Sequence, residues 1–92
     1  MLNHQGFLKA CRRLKGQDAR LVSFAVHENS EEYRLVYHFD QGGQLITLET
    51  STVDRAAPSL VTYFSTSDFA ERQAFRDYRI KFFGNPNLTP PE

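Results

Sequence analysis

The chain has one cysteine, no tryptophan, no net charge and no long apolar run, and each shortage excludes something. A single thiol, Cys11, leaves no partner for an internal disulfide and no cysteine-built metal cluster, and it fits a reducing compartment. Eleven basic and eleven acidic residues cancel, which argues against an electrostatic footprint for nucleic acid or an anionic membrane. The apolar runs are a few residues long, far below the roughly 20 that a membrane span needs. The start, Met1 to Gln5, lacks the basic-then-apolar order of a secretory leader. No phosphate-cradling GxxxxGK, no CxxC and no Ser-His-Asp order occurs. The expectation is a soluble, cytoplasmic protein without catalytic, cofactor-binding or metal residues of its own.

What the chain does have is aromatic mass. Eight Phe and four Tyr in 92 residues fill one core. A chain of this length buries only about 60–65% of its unfolded surface, room for a single domain over residues 1–92.

The first element reads helical. In QGFLKACRRLKGQ, Phe7, Ala10, Cys11 and Leu14 recur at the spacing of one apolar stripe, and Gly16 is placed to end the helix. Lys9, Arg12, Arg13 and Lys15 take the other faces and read as a solvated, dipole-compatible surface; a binding patch is the competing reading. Cys11 reads as core packing.

Three segments of period two follow. Val22, Phe24 and Val26, then Tyr33, Leu35, Tyr37 and Phe39, then Ile46 and Leu48 are the apolar sets. A turn at Asn29-Ser30 sets Val26 against Tyr33, Phe24 against Leu35 and Val22 against Tyr37. A turn at Gln41-Gly42 sets Tyr37 against Ile46 and Leu35 against Leu48. Every set then shares one face of an antiparallel meander, an agreement that a one-residue slip destroys. Leu21, Val36, His27 and His38 fall on the other face, with the two histidines too far apart to share a metal.

Beyond a polar connection, Ser59 to Phe64 alternates as a fourth strand or extended segment. A second helix then opens with Asp68 as N-cap and Glu71 three residues on, the reciprocal arrangement of a capping box. Phe75, Tyr78 and Phe82 give it an aromatic ridge, and Gly84 ends it. The predicted class is α+β: a meander packed by an N-terminal and a C-terminal helix, with an extended tail over residues 85–92. Glu31-Glu32 and Asp68/Glu71 are the acidic pairs, and neither comes with a nucleophile.

The last third, PSLVTYFSTSDFAERQAFRDYRIKFFGNPNL from Pro58, resembles the signature of the thirty-kilodalton subunit of respiratory complex I, the bacterial NADH dehydrogenase, and its energy-converting hydrogenase relatives. Pro58-Ser59, Phe64, Glu71-Arg72, Ile80, Phe82, Gly84, Pro86 and Leu88 match that pattern without a gap. Phe69 stands for its Trp, Phe75 for its Tyr and Tyr78 for its Phe. Gln73, Arg76, Arg79 and Asn85 depart from it, the last two replacing a Gly and a His. The sequence stops where long members continue, which suggests a short hydrogenase-type member or an otherwise divergent one. The resemblance implies a cofactor-free structural subunit of the hydrophilic arm, at the inner face of the cell membrane only through its complex. Its partner would be the large catalytic subunit, with Phe69, Glu71, Arg72, Phe82, Phe83, Gly84, Pro86 and Leu88 as contact residues. The alternative is a free-standing module that binds protein or RNA through the Lys9–Lys15 face. In an extended stretch Phe82 and Phe83 point to opposite sides, one to the core and one outward.

Overall fold

A computed structural model describes residues 2–88. Helix α1 runs from His4 to Gly16. The Asn3 side chain starts it by accepting the Gly6 amide at 2.8 Å, satisfying one orphan donor of the first turn. Phe7, Cys11 and Leu14 form its buried stripe, as the spacing predicts. The chain then reverses through Asp18, at φ 59.

Strands β1 (Arg20–Glu28), β2 (Tyr33–Gln41) and β3 (Gln44–Ser51) form an antiparallel sheet in that order. The face assignment holds for most positions, but both registers differ from the expected ones by two residues. Val26 pairs with Leu35 and Phe24 with Tyr37, while Tyr37 pairs with Leu48 and Phe39 with Ile46. In the second hairpin the turn residues are Gly42 and Gly43, at φ 60 and 87. A two-residue turn of this hand needs positive φ twice, which Gly-Gly supplies and Gln41-Gly42 does not. In the first, the Asn29 amide bonds the Glu32 carbonyl at 2.9 Å, so four residues separate Glu28 from Tyr33. A slip of two keeps every side chain on its face.

Val22 and Leu21 are corrected. The register shifts between Leu21 and Ser23, a bulge that turns Val22 out to solvent and brings Leu21 against the core. His38 consequently pairs with Ser23.

The expected fourth strand or extended segment over Ser59–Phe64 is also corrected. That stretch is a turn in which the Tyr63 and Phe64 amides both bond the Leu60 carbonyl, at 3.0 and 2.7 Å. Leu60 and Phe64, four apart, are both buried, so the apparent alternation was one helical turn. The strand lies just upstream: β4 (Ala56–Pro58) pairs in parallel with β5 (Lys81–Phe83).

Helix α2 runs from Ser67 to Tyr78, with Thr66 before it making no side-chain cap bond. It ends at Arg79, whose left-handed backbone turns the chain into β5. Phe82 is therefore on a strand, and Gly84 closes the strand rather than the helix. The core gathers Phe7 and Cys11 from α1, Leu35, Tyr37 and Phe39 from β2, and Leu60, Ala74, Ile80 and Phe82 from the C-terminal half. Tyr37 stands at its centre, 4.9 Å from the Phe7 ring and 4.6 Å from that of Phe24.

Candidate partner-docking face

Ser67, Glu71 and Ala74 are the buried positions of α2, the spacing of one helix face. Glu71 is thereby carried inside, at 0% exposure. The capping-box reading of Asp68 and Glu71 does not hold: Asp68 lies within the helix, and Glu71 serves other donors. Its Oε1 accepts from Ser59 Oγ at 2.7 Å and Asn85 Nδ2 at 2.9 Å. Its Oε2 accepts from the Leu60 amide at 2.8 Å and Ser67 Oγ at 3.0 Å. Four donors from three chain segments converge on one carboxylate, the satisfaction that a buried charged group requires.

A second polar step continues outward. Asn85 Oδ1 accepts the Asn87 amide at 2.8 Å, and Asn87 Nδ2 donates to Asp68 Oδ1 at 3.1 Å. Asp68 also pairs with Arg72 Nε at 3.1 Å across one helical turn. The hydrogen bond from Asn87, aided by Asn85 and the Arg72 guanidinium, holds the Asp68 carboxyl below its ordinary range. Gly84, at φ 96, begins this loop in a conformation that a side chain would strain.

Around this polar spine stand exposed apolar side chains. Phe69 is 68% exposed and Phe83 54%. A groove of about 390 Å³ is lined by Phe75, Lys81, Phe82, Phe83, Gly84, Asn85 and Leu88. Strand alternation sends Phe82 inward, to 1% exposure, and Phe83 outward. Of the residues expected at a partner surface, Phe69, Arg72, Phe83, Gly84 and Pro86 are exposed and Leu88 is half-buried, whereas Glu71 and Phe82 lie within. Thr89 to Glu92, the end of the expected extended tail, lie outside the described residues; Asn85, which begins it, is buried. Ser59, Ser67 and Asn85 were missed as a group. Their signal was Glu71 itself, which with Ser67 and Ala74 shares the apolar phase of α2.

Elsewhere the chemistry is sparse. Burial pushes the Cys11 thiol up to about 12, and burial likewise raises the Tyr37 hydroxyl, with Glu71 and Cys11 adding to it. His4 belongs to α1, with Nε2 2.7 Å from the Ser51 carbonyl and its ring 6.0 Å from that of Phe83. Glu32 has a structural task. It accepts from Thr52 Oγ1 at 2.5 Å and from the Asp54 and Arg55 amides at 3.1 Å each, and both of those residues sit at positive φ. Lys9, Arg12, Arg13 and Lys15 are exposed on α1. Among the described residues no cluster of His, Cys, Asp and Glu gathers with metal-binding geometry. No described helix is long and apolar enough to cross a membrane.

The profile of the family described as respiratory-chain NADH dehydrogenase, 30 Kd subunit, matches residues 1–91. The chain belongs to that family. It is thus a subunit of the kind found in a multi-subunit NADH dehydrogenase complex. Among solved structures it is similar to Nqo5, in a trypsin-resistant fragment spanning residues 1–134 of that protein, with a TM-score of 0.80 at 18% identity over 95% of this chain and 79% of that one. At that identity the likeness speaks for the fold. No curated protein sequence matches significantly. Within the family signature, Glu71 is the charged residue the fold buries, and Asn85, standing where the pattern has His, is one of its donors. Arg79, standing where the pattern has Gly, keeps the left-handed backbone that a glycine would take.

Proposed function

We propose that this chain is a cofactor-free structural subunit that docks on the large catalytic subunit of an NADH dehydrogenase-like or energy-converting hydrogenase complex. It would dock through the start of α2 and the loop from Phe83 to Leu88. Redox centres and substrate would belong to its neighbours, and the subunit would sit in the cytoplasmic arm, peripheral to the inner face of the membrane. One observation carries the reading: two exposed phenylalanines, Phe69 and Phe83, belong to segments held by the same buried carboxylate network. A fixed apolar surface is the kind of patch that marks a protein partner, and a rigid one loses little freedom on association.

The test is co-purification of the tagged full chain from its native host, followed by mass spectrometry. Recovery of the large catalytic subunit in stoichiometric amount is the expected result, and its sequence tells dehydrogenase from hydrogenase. Recovery of RNA without that subunit would overturn the reading.

A further inference from the structure

We infer that Glu71 is a positioning residue for the docking face, acting through Asn85 to hold the Gly84–Leu88 loop in its binding shape; this rests on the docking reading above. The loop has few main-chain ties. Among the described residues its backbone makes one bond to its own strand, Asn85 N to Phe82 O at 3.2 Å. Leu88 packs half-buried against the core at its far end, and its polar ties run through side chains, from Asn85 to Glu71 and from Asn87 to Asp68.

The donor pattern shows why the group must be a carboxylate. Asn85 cannot reverse its amide, because Oδ1 already accepts the Asn87 amide. Leu60 contributes a backbone N–H, which has no acceptor form. Ser59 Oγ accepts from the Val61 amide at 3.1 Å and donates its proton to Glu71 Oε1. One fixed N–H faces Oε1 and the other faces Oε2. A neutral amide in place of Glu71 would set its NH2 against one of them in either orientation. The residue is therefore specified by the loop and turn that it joins, without any part of it reaching the surface.

The experiment compares the full chain with Asn85→Ala, Asn85→His and Glu71→Gln, reading amide hydrogen exchange and affinity for the purified large catalytic subunit. In Asn85→Ala, exchange across the Gly84–Leu88 loop is expected to rise about 10- to 100-fold, the loss of one hydrogen bond to a charged group. The amides of β2 are expected to keep their protection, and affinity to fall by a similar factor. Asn85→His, whose ring N–H can donate to Glu71, should restore both, a rescue that generic destabilisation would not give. Glu71→Gln should loosen either the Gly84–Leu88 loop or the Leu60 turn, whichever holds the N–H that its own NH2 comes to face. Unchanged loop exchange in Asn85→Ala would overturn the inference, as would a loosened loop with unchanged affinity. A wild-type chain that does not bind the large subunit would fell the docking reading and this role together.

Discussion

The Arg79 amide donates to the Phe75 carbonyl at 2.9 Å while its own backbone sits at φ 62 and ψ 30. An arginine thus occupies the left-handed cap that glycine fills at lower cost. Its side chain is exposed, so little packing is lost by removing it. Arg79→Gly is expected to stabilise the protein by about 1 kcal/mol, the relief of the left-handed strain less the added freedom of the unfolded chain. Thermal or urea unfolding checks it, and a lowered midpoint would contradict it.

Glu71→Gln should destabilise the fold by about 1–3 kcal/mol, the cost of one buried donor left facing another donor. In a domain of this size that lowers the melting temperature by several degrees per kcal/mol. Calorimetry on the variant measures it.

Phe69→Ser should leave stability within about 0.5 kcal/mol, because the residue lies largely in solvent. Phe83→Ser, at a half-exposed position beside His4, should cost about 1 kcal/mol. Under the docking reading the same variants weaken binding to the large catalytic subunit. A melting curve and a binding titration on each protein separate the two effects.

The Cys11 thiol, raised by burial to about 12 from an ordinary 9.0, should resist alkylation at pH 8. The pKa alone leaves roughly a thousandfold less thiolate, and the packed core withholds access as well. Labelling is expected to become complete only on addition of denaturant. Rapid labelling of the native protein would contradict the buried placement.

Acid should weaken the fold through two surface carboxylates. Glu32 is held below its ordinary range first by the Thr52 hydroxyl and then by the Arg55 amide, and Asp68 first by the Asn87 amide group. A carboxyl with a depressed folded pKa stabilises the protein above its unfolded value, near 4, and loses that contribution as pH falls through the folded value. Stability measured between pH 6 and pH 3 should therefore decline. Glu32→Gln and Asp68→Asn should each flatten the decline.

Much of this molecule was written locally. The stripe Phe7, Cys11, Leu14 and the alternation of Tyr33, Leu35, Tyr37 and Phe39 depend only on the geometry of a helix and a strand, so periodicity alone assigned their faces. Face parity survives a two-residue slip, which is why the inner face was legible although both registers were not. Register depends on turn backbone, and the choice between Gln41-Gly42 and Gly42-Gly43 is made by φ. The signature from Pro58 onward identified the family, because its spacing carries over a gapless third of the chain.

Tertiary structure decided the rest. The pairing of Ala57 with Phe82 joins segments far apart in sequence, and no local preference announces a three-residue parallel strand. Asp68 and Glu71 made a complete capping box on paper, and two serines, an asparagine and a backbone amide drew Glu71 away from it. Local rules describe what a residue can do with its neighbours along the chain. Which donors meet a buried carboxylate is settled only when distant segments close around it, since an acceptor removed from water must find its partners wherever the fold brings them.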